Sequence, residues 1–541
     1  MKCDQLILGN IVTYDTDAPY VPAMAVKDGR IAYIGTEELA RKLCDEHIKV
    51  LDYGTATVYP GFVDAHCHGL MAGQRLAFEC DLTPGNSMEE YCEILRKYIE
   101  KYPDRSCYKG AGWFKHAEPT AAMLDAVCAD KAVILNSADA HSMWVNTKAL
   151  EEAGITAELA KQKGYDLIHV DENGNPSGLL CETGTSYVRN LHPNTVEELK
   201  EALLAWQAFA FQNGLTSAGE AMADMCEGGM EAYEQLDREG KWKLRTFAYP
   251  GYSNYITSGR FDEIPARFLE DKKRCDSDHF NLAGCKIILD GVVEAHTAYL
   301  DDGYTDQPEY HGVLNVPDPE VLNRYVLLLN RAGIPVQTHA IGDGAIRLIM
   351  DAYEKAELDT CNFDIRNIVC HLQCVHKEDF IRFGAYHVIA CVAPLWVPVE
   401  PDYFKTELGF LGEERAWHEY PIRSFADTGT TVVFHTDYPV SPNINPSEQL
   451  YAAVKRAASS RGPASVKNPE EGISIRQALL ACTANCAYMW RKERELGTFA
   501  IGKWADCTVF DKDFLKTEDL NRVGETKLIA TIVDGEEVYR A

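Results

Sequence analysis

Nowhere in its 541 residues does the chain hold a run approaching the ~20 apolar residues of a membrane-spanning helix, which excludes an integral helical membrane protein. The opening Met1-Lys2-Cys3-Asp4 also lacks the basic stretch and apolar core of a secretory signal, so the expected location is the cytoplasm. Positive charge is scarce: 53 lysines and arginines stand against 82 aspartates and glutamates, a formal charge of −29 with no basic patch. Such a field repels phosphates, which argues against nucleic acid or an anionic membrane as partner and leaves small molecules as the expected ligands. Internal repeats and low-complexity tracts are missing, and so is a disulfide framework. The 18 cysteines are scattered singly through apolar segments, as at Cys285, Cys370, Cys374 and Cys391, and read as reduced, mostly buried thiols.

What remains is an ordinary globular composition, 46% apolar and 25% charged, in a chain long enough for one large catalytic domain with a satellite and an insertion. Residues 4–12 and 21–35 alternate apolar and polar positions, and Asp28-Gly29 suits a type I′ hairpin turn. The last 40 residues repeat the pattern, with a strand at 505–510 and a hairpin over 531–539 turning at Asp534-Gly535. Both ends are predicted to be β-rich and to share one sheet. Between them short apolar strands alternate with amphipathic helices, the mark of a mostly parallel α/β architecture. Strands are predicted over 58–65, 132–136, 214–218, 244–249, 284–290, 334–339, 367–371, 387–393 and 431–436, with helices at 344–357 and 475–490. The stretch from about 70 to 210 exceeds two βα units and is assigned to an inserted subdomain, which leaves 1–57 and 491–541 for the terminal domain and 58–490 for the catalytic one.

The chemistry begins where the first apolar strand runs into His66-Cys67-His68, because strand alternation points both imidazoles to the same side. Neutral nitrogen donors so placed suit a borderline cation such as zinc. Gln337-Thr338-His339, Cys370-His371 and Thr436-Asp437 each close another apolar strand, spaced as whole βα units. In a TIM barrel such strand ends ring the active site, so polar residues at those places converge. Lys286 sits within Cys285-Lys286-Ile287-Ile288-Leu289-Asp290, where a charged, unpaired amine would cost several kcal/mol. Either it snorkels to water or it has a function.

In order along the chain stand Pro60-Gly61-Phe62-Val63-Asp64-Ala65-His66-Cys67-His68, Asp139-Ala140-His141-Ser142-Met143-Trp144-Val145-Asn146, Lys286 with Asp290-Gly291, and Thr338-His339-Ala340-Ile341-Gly342-Asp343. They are followed by His371-Leu372-Gln373, Thr436-Asp437-Tyr438-Pro439-Val440 and Gly502-Lys503-Trp504-Ala505-Asp506. As an ordered set spanning nearly the whole chain, these resemble the amidohydrolase superfamily, and within it the amidohydrolase family 3 branch of YtcJ-like proteins. The resemblance implies a distorted TIM (β/α)₈ barrel with a small β-sandwich built from both termini, and one or two divalent ions per chain, usually zinc. It implies that His66 and His68 bind the more buried ion, His339 and His371 the second, and that Asp437 is both a ligand and the general base. It further implies that Lys286 is carboxylated to a carbamate bridging two metals, and that the assembly is a homodimer.

His141, in a recurring element of that family, is a candidate for polarising or anchoring the substrate. Trp113 and Trp396 are candidates for an apolar pocket wall, although buried tryptophans often only fill cores. His296 and His376 are assigned to solvent or to a supporting shell, and His435, facing the same way as Asp437, to packing or to orienting that base. Gly342-Asp343-Gly344 lacks the Walker spacing and is no phosphate loop. The activity implied is hydrolysis of a carbon–nitrogen bond in an N-substituted formamide or similar small amide. Heterocycle deamination, against which Lys286 argues, and cyclic amide or imide hydrolysis are the alternatives, and a metal-binding module without catalysis would leave Asp437 no role.

Overall fold

The two chain ends pair with each other because their alternating residues need a common partner. The structure, a computed structural model, describes residues 2–114, 119–138, 142–165, 167–189, 191–399, 403–517 and 519–541. Strands Cys3–Val12, Tyr20–Lys27 and Arg30–Gly35 form a meander, Cys44–Pro60 runs parallel to the first of them, and Cys507–Phe510, Leu528–Val533 and Glu536–Arg540 complete a seven-stranded sheet. Asp28-Gly29 has φ of 51° and 75°, and Asp534-Gly535 54° and 74°, the left-handed pairs that type I′ turns require. Ile7, Met24 and Val58 share one core with Val509 and Ile532 from the other end. The sandwich expected from the resemblance is not confirmed: among the described residues the terminal strands form this single mixed sheet. The long strand Cys44–Pro60 takes an N-terminal partner on one edge and a C-terminal partner on the other, which fuses the two halves.

The strand predicted over 58–65 is cut at Gly61. Residues 58–60 finish the terminal sheet, and Phe62–Cys67 opens the parallel layer. A Cβ at Gly61 would lie 2.1 Å from Thr216 Oγ1, so only glycine lets the chain pass so close. Phe62–Cys67, Leu215–Ala221, Arg245–Tyr249 and Phe280–Leu282 form one parallel arc. Cys285–Ile288, Val336–Ala340, Ile368–His371, Ile389–Val392 and Val432–Phe434 form a second. The fold is therefore α/β and TIM-barrel-like, but among the described residues the strands do not close into a barrel. The ladder stops at Ala283-Gly284, and the first and last strands meet only through isolated bonds: Asp437 N–H to His66 O at 3.0 Å, His68 N–H to Tyr438 O at 2.8 Å, and Thr436 N–H to the Asp64 carboxylate at 3.0 Å.

The predicted helix 475–490 is two, Ile475–Ala481 and Ala484–Met489, broken at Thr483. The strand predicted at 132–136 belongs to a separate compact unit, Leu70–Trp206 with Glu227–Ala232, which has its own six-stranded sheet. One face of that sheet buries Tyr108, Leu135 and Trp144, and the other Ile134, Met143 and Val145. The remainder of the chain, Met1–Gly69, Gln207–Cys226 and Tyr233–Ala541, forms the other unit and carries both arcs and the terminal sheet. All 18 cysteines are free thiols, and among the described residues no helix is long and apolar enough to cross a membrane.

Candidate metal centre

Four imidazoles and a carboxylate gather at the C-terminal ends of the parallel strands, and three of the rings are held by a bond from the far side. His66 Nδ1 faces Gln337 Oε1 at 2.8 Å, an oxygen that only accepts, so the ring carries a proton there and turns Nε2 toward the site. His68 Nδ1 donates to the Ala221 carbonyl at 3.1 Å, with the same consequence for its Nε2. Both Nε2 atoms meet a single oxygen, Asp437 Oδ1, at 3.0 and 3.2 Å. His339 is oriented the other way round: Nε2 donates to Gly291 O at 3.1 Å, and Nδ1 keeps the lone pair.

His371 leaves its strand at φ 82°, followed by Leu372 at φ 55°, a left-handed turn that swings the imidazole toward the others. Its ring lies 5.2 Å from that of His66 and 4.4 Å from that of His339, and Trp396 stacks on it at 5.4 Å with planes 13° apart. Ligand atoms of His66, His371 and Asp437 all lie within 4.8 Å of one another, and all three residues are buried.

Buried polar side-chain atoms without a hydrogen-bond partner concentrate here: His66 Nε2, Lys286 Nζ, Gln337 Nε2, His371 Nδ1, both ring nitrogens of His435, and Asp437 Oδ1. Leaving such groups unmade is costly, roughly 1–3 kcal/mol each. His66 Nε2 and Asp437 Oδ1 are close without being aligned as donor and acceptor, as expected of two atoms aimed at a common third point. Imidazole nitrogens and a carboxylate suit a borderline divalent cation, so this donor set fits one.

The electrostatics are divided: burial and Lys286 lower His66, but Cys370 and Asp437 outweigh them and raise it to about 9, whereas the other groups are held in the form that binds a cation. Burial alone would raise Asp437, but His66 and His68 facing it hold its carboxyl well below the usual range. Burial, reinforced by the charge of Lys286, pushes His339 down to about 3, and burial drives His371 well below its ordinary value, so both rings are neutral. Burial also lowers Lys286, which is 3% exposed.

Of the expected site residues, His66, His68, His371 and Asp437 stand together, His339 adjoins His371, and Lys286 is buried in the neighbouring strand with its amine unpaired. Trp396 is the wall behind His371. Trp113 is a correction: it is 1% exposed within the core of the other unit, where its Nε1 bonds Leu135 O at 2.9 Å and its ring meets Trp144, so it packs rather than lining a pocket. His141 lies outside the described residues. His296 pairs with Asp306 and His376 with Asp301. His435 packs against His66, His371 and Trp396.

Sequence reasoning passed over three supporting residues. Gln337 sets the tautomer of His66. Asp64 accepts bonds from the His66 and Thr436 amides and the Thr436 hydroxyl. Asp290 accepts from the amides of Tyr299, Ile341 and Gly342, behind His339. Asp64 had a signal, since Asp64-x-His66-x-His68 shares one strand face. Gln337 and Asp290 had only their position near a strand end.

Comparison with known proteins follows the same lines. The sequence pattern described as the amidohydrolase family matches residues 49–539. The chain is 26% identical to Protein LONG AFTER FAR-RED 3 of Arabidopsis thaliana, over 98% of this chain and 90% of that one. It is 25% identical to the putative amidohydrolase YtcJ of Bacillus subtilis, over 98% of each, and 25% identical to the N-substituted formamide deformylase of Arthrobacter pascens, over 99% and 98%. Among solved structures, an uncharacterized metal-dependent hydrolase from Pyrococcus furiosus superposes with a TM-score of 0.77 at 25% identity, covering 95% of this chain and 100% of that one.

Proposed function

This chain belongs to the amidohydrolase family and is a metal-dependent hydrolase of carbon–nitrogen bonds, and from that premise we propose that its substrate is a small N-substituted amide of the formamide type. The observation that carries the reading is the convergence of His66 Nε2, His68 Nε2 and Asp437 Oδ1 on one point with no hydrogen-bond alignment to satisfy the buried pair His66 and Asp437. The full-length similarity to an N-substituted formamide deformylase supports the choice of substrate class.

In this reading His66, His68 and Asp437 would hold one divalent ion and His339 and His371 a second, with Lys286, carboxylated by carbon dioxide, as a further ligand; zinc would suit the donors best. Bound there, such ions polarise a carbonyl and lower the pKa of water from 15.7 toward about 7. Asp437 accepts the proton of the attacking water at its carboxylate and passes it to the leaving nitrogen, which departs poorly unless protonated. Its depressed pKa keeps it ionised at neutral pH. Gln337, Ala221 O and Gly291 O hold the imidazoles in the tautomers that keep their lone pairs inward. Trp396 stacks on the His371 ring and fixes its plane.

The test is a product screen by mass spectrometry: zinc-reconstituted protein with N-formyl and N-acyl amines, cyclic imides and amino-heterocycles, and Asp437→Asn as control. Amine plus carboxylate with wild type only, and a loss of roughly 10²–10⁴-fold in the variant, are expected. Ammonia with a ring-oxo product would replace the amidase reading by a deaminase.

A further inference from the structure

Beside the metal-binding strands lies a cluster of charges that the proposed chemistry does not use. Lys467, Glu407 and Glu419 are each no more than 1% exposed, and Lys467 Nζ bonds both carboxylates, Glu407 Oε2 at 3.2 Å and Glu419 Oε2 closer still. The remaining oxygens take both donors of one amide: Gln373 Nε2 reaches Glu407 Oε1 at 2.9 Å and Glu419 Oε1 at 2.6 Å. Two carboxylates against one buried cation are a poor device for stability, since well-packed apolar side chains do as well or better. Their use must lie in what they hold still.

What they hold is the segment His371-Leu372-Gln373. His371 and Leu372 take left-handed conformations in succession, which L-residues adopt only when the surroundings impose them. Gln373 is the first residue after that turn. Its amide is clamped by both carboxylates, and its carbonyl accepts the Tyr420 N–H at 3.0 Å. Arg456, itself buried, fastens the frame by donating to the carbonyls of Glu419, Tyr420 and Lys467. Tyr420 in turn meets Trp396 edge-on at 6.2 Å, and Trp396 is the plate against the His371 ring. The connections thus run from His371 through Gln373 and the ionic cluster to Tyr420 and Trp396, and return to His371.

We propose that Gln373, Glu407, Glu419 and Lys467 form a positioning cluster that holds His371 in its strained conformation and so sets the affinity for the ion this histidine binds. The proposal rests on the reading of His371 as a metal ligand, but not on the identity of the substrate. Gln373 is the element that links the ionic cluster to the ligand, and replacing it by an isostere without donors releases the turn while leaving every ligand in the chain.

The experiment uses the full chain reconstituted with zinc and compares wild type with Gln373→Met. Zinc per chain and its dissociation constant are measured by chelator competition, the cobalt-substituted visible spectrum reports the ligand field, and circular dichroism with Tm reports the fold. Arg245→Met, which cuts another buried ion pair, to Asp506, is the control for general destabilisation. The expected result is a 10–100-fold weaker zinc at one site, an altered cobalt spectrum and a folded protein, as for other residues that orient metal ligands. Should Gln373→Met not fold, Glu407→Gln keeps the shape, removes one charge from the clamp, and is expected to weaken zinc in the same direction. Wild-type zinc affinity in the folded variant, or a loss no larger than that of the control, overturns the proposal. Wild-type protein that takes up no divalent ion overturns it together with the metal reading, whereas tight zinc binding with a negative product screen leaves this test intact and counts only against the substrate.

Discussion

Lys286 shows how a single residue can be conspicuous in a sequence and still need its surroundings to be understood. An amine inside an apolar strand is anomalous on its face, and the structure places it 3% exposed, with Nζ unpartnered and its pKa lowered by burial. A neutral amine is the form that reacts with carbon dioxide, and the resulting anion would satisfy the orphaned position. Lys286→Ala is expected to bind one zinc equivalent fewer while keeping its circular dichroism. The carbamate resonance expected from wild type in ¹³C-labelled bicarbonate is expected to vanish in the variant, and unchanged metal content would remove Lys286 from the ligand set. The histidines were legible because each ends an apolar run. The Gln337 contact to His66 was not, because it joins residues 271 positions apart.

At the scale of elements, the apolar runs between 214 and 436 were readable as strands because buried parallel strands are continuous apolar stretches bounded by turns. Their assignment to one cylinder was not readable, since the breaks at Ala283-Gly284 and between the first and last strands are set by side-chain substitutes such as Asp64 for a missing backbone acceptor. Close strand packing also makes demands that periodicity does not show. On Leu215–Ala221, a Cβ at Gly219 would fall 2.1 Å from Ala65 O, in the strand that carries His66, and backbone cannot retreat as a side chain can. Gly219→Ala is therefore expected to destabilise by about 3 kcal/mol or more, read as a lower urea midpoint at unchanged slope.

At the scale of the molecule, the terminal sheet is tied to the parallel layer by Arg245, 1% exposed, which bonds Asp506 at 2.6 Å and also Asp534, while His279 meets Asp534 at 2.8 Å. Burial raises Asp534, but the bond from His279 and the charge of Arg245 together hold it below the usual carboxylate range. Because its folded pKa is depressed, its contribution is full above about pH 4 and is lost as pH falls through the depressed value. Arg245→Met strands the buried carboxylate of Asp506 and takes one of two partners from the part-buried Asp534, so a loss of about 3 kcal/mol is expected. Acid unfolding, followed by circular dichroism, is expected to begin at a higher pH than in wild type, and an unchanged acid transition would show that the tie is dispensable. By itself the sequence determined the α/β class, the β-rich ends with their two I′ turns, and the strand-end places of His66, His68, His339, His371 and Asp437, because alternation, apolar runs and turn chemistry are local. Only the tertiary structure decided that the ends join through the two edges of Cys44–Pro60, that the parallel strands split into two arcs, that Trp113 packs in a core, and which nitrogens of His66, His68 and His339 face the site. Those outcomes depend on partners 22 residues away in one case, Leu135 for Trp113, and 271 away in another, Gln337 for His66, which no local pattern encodes.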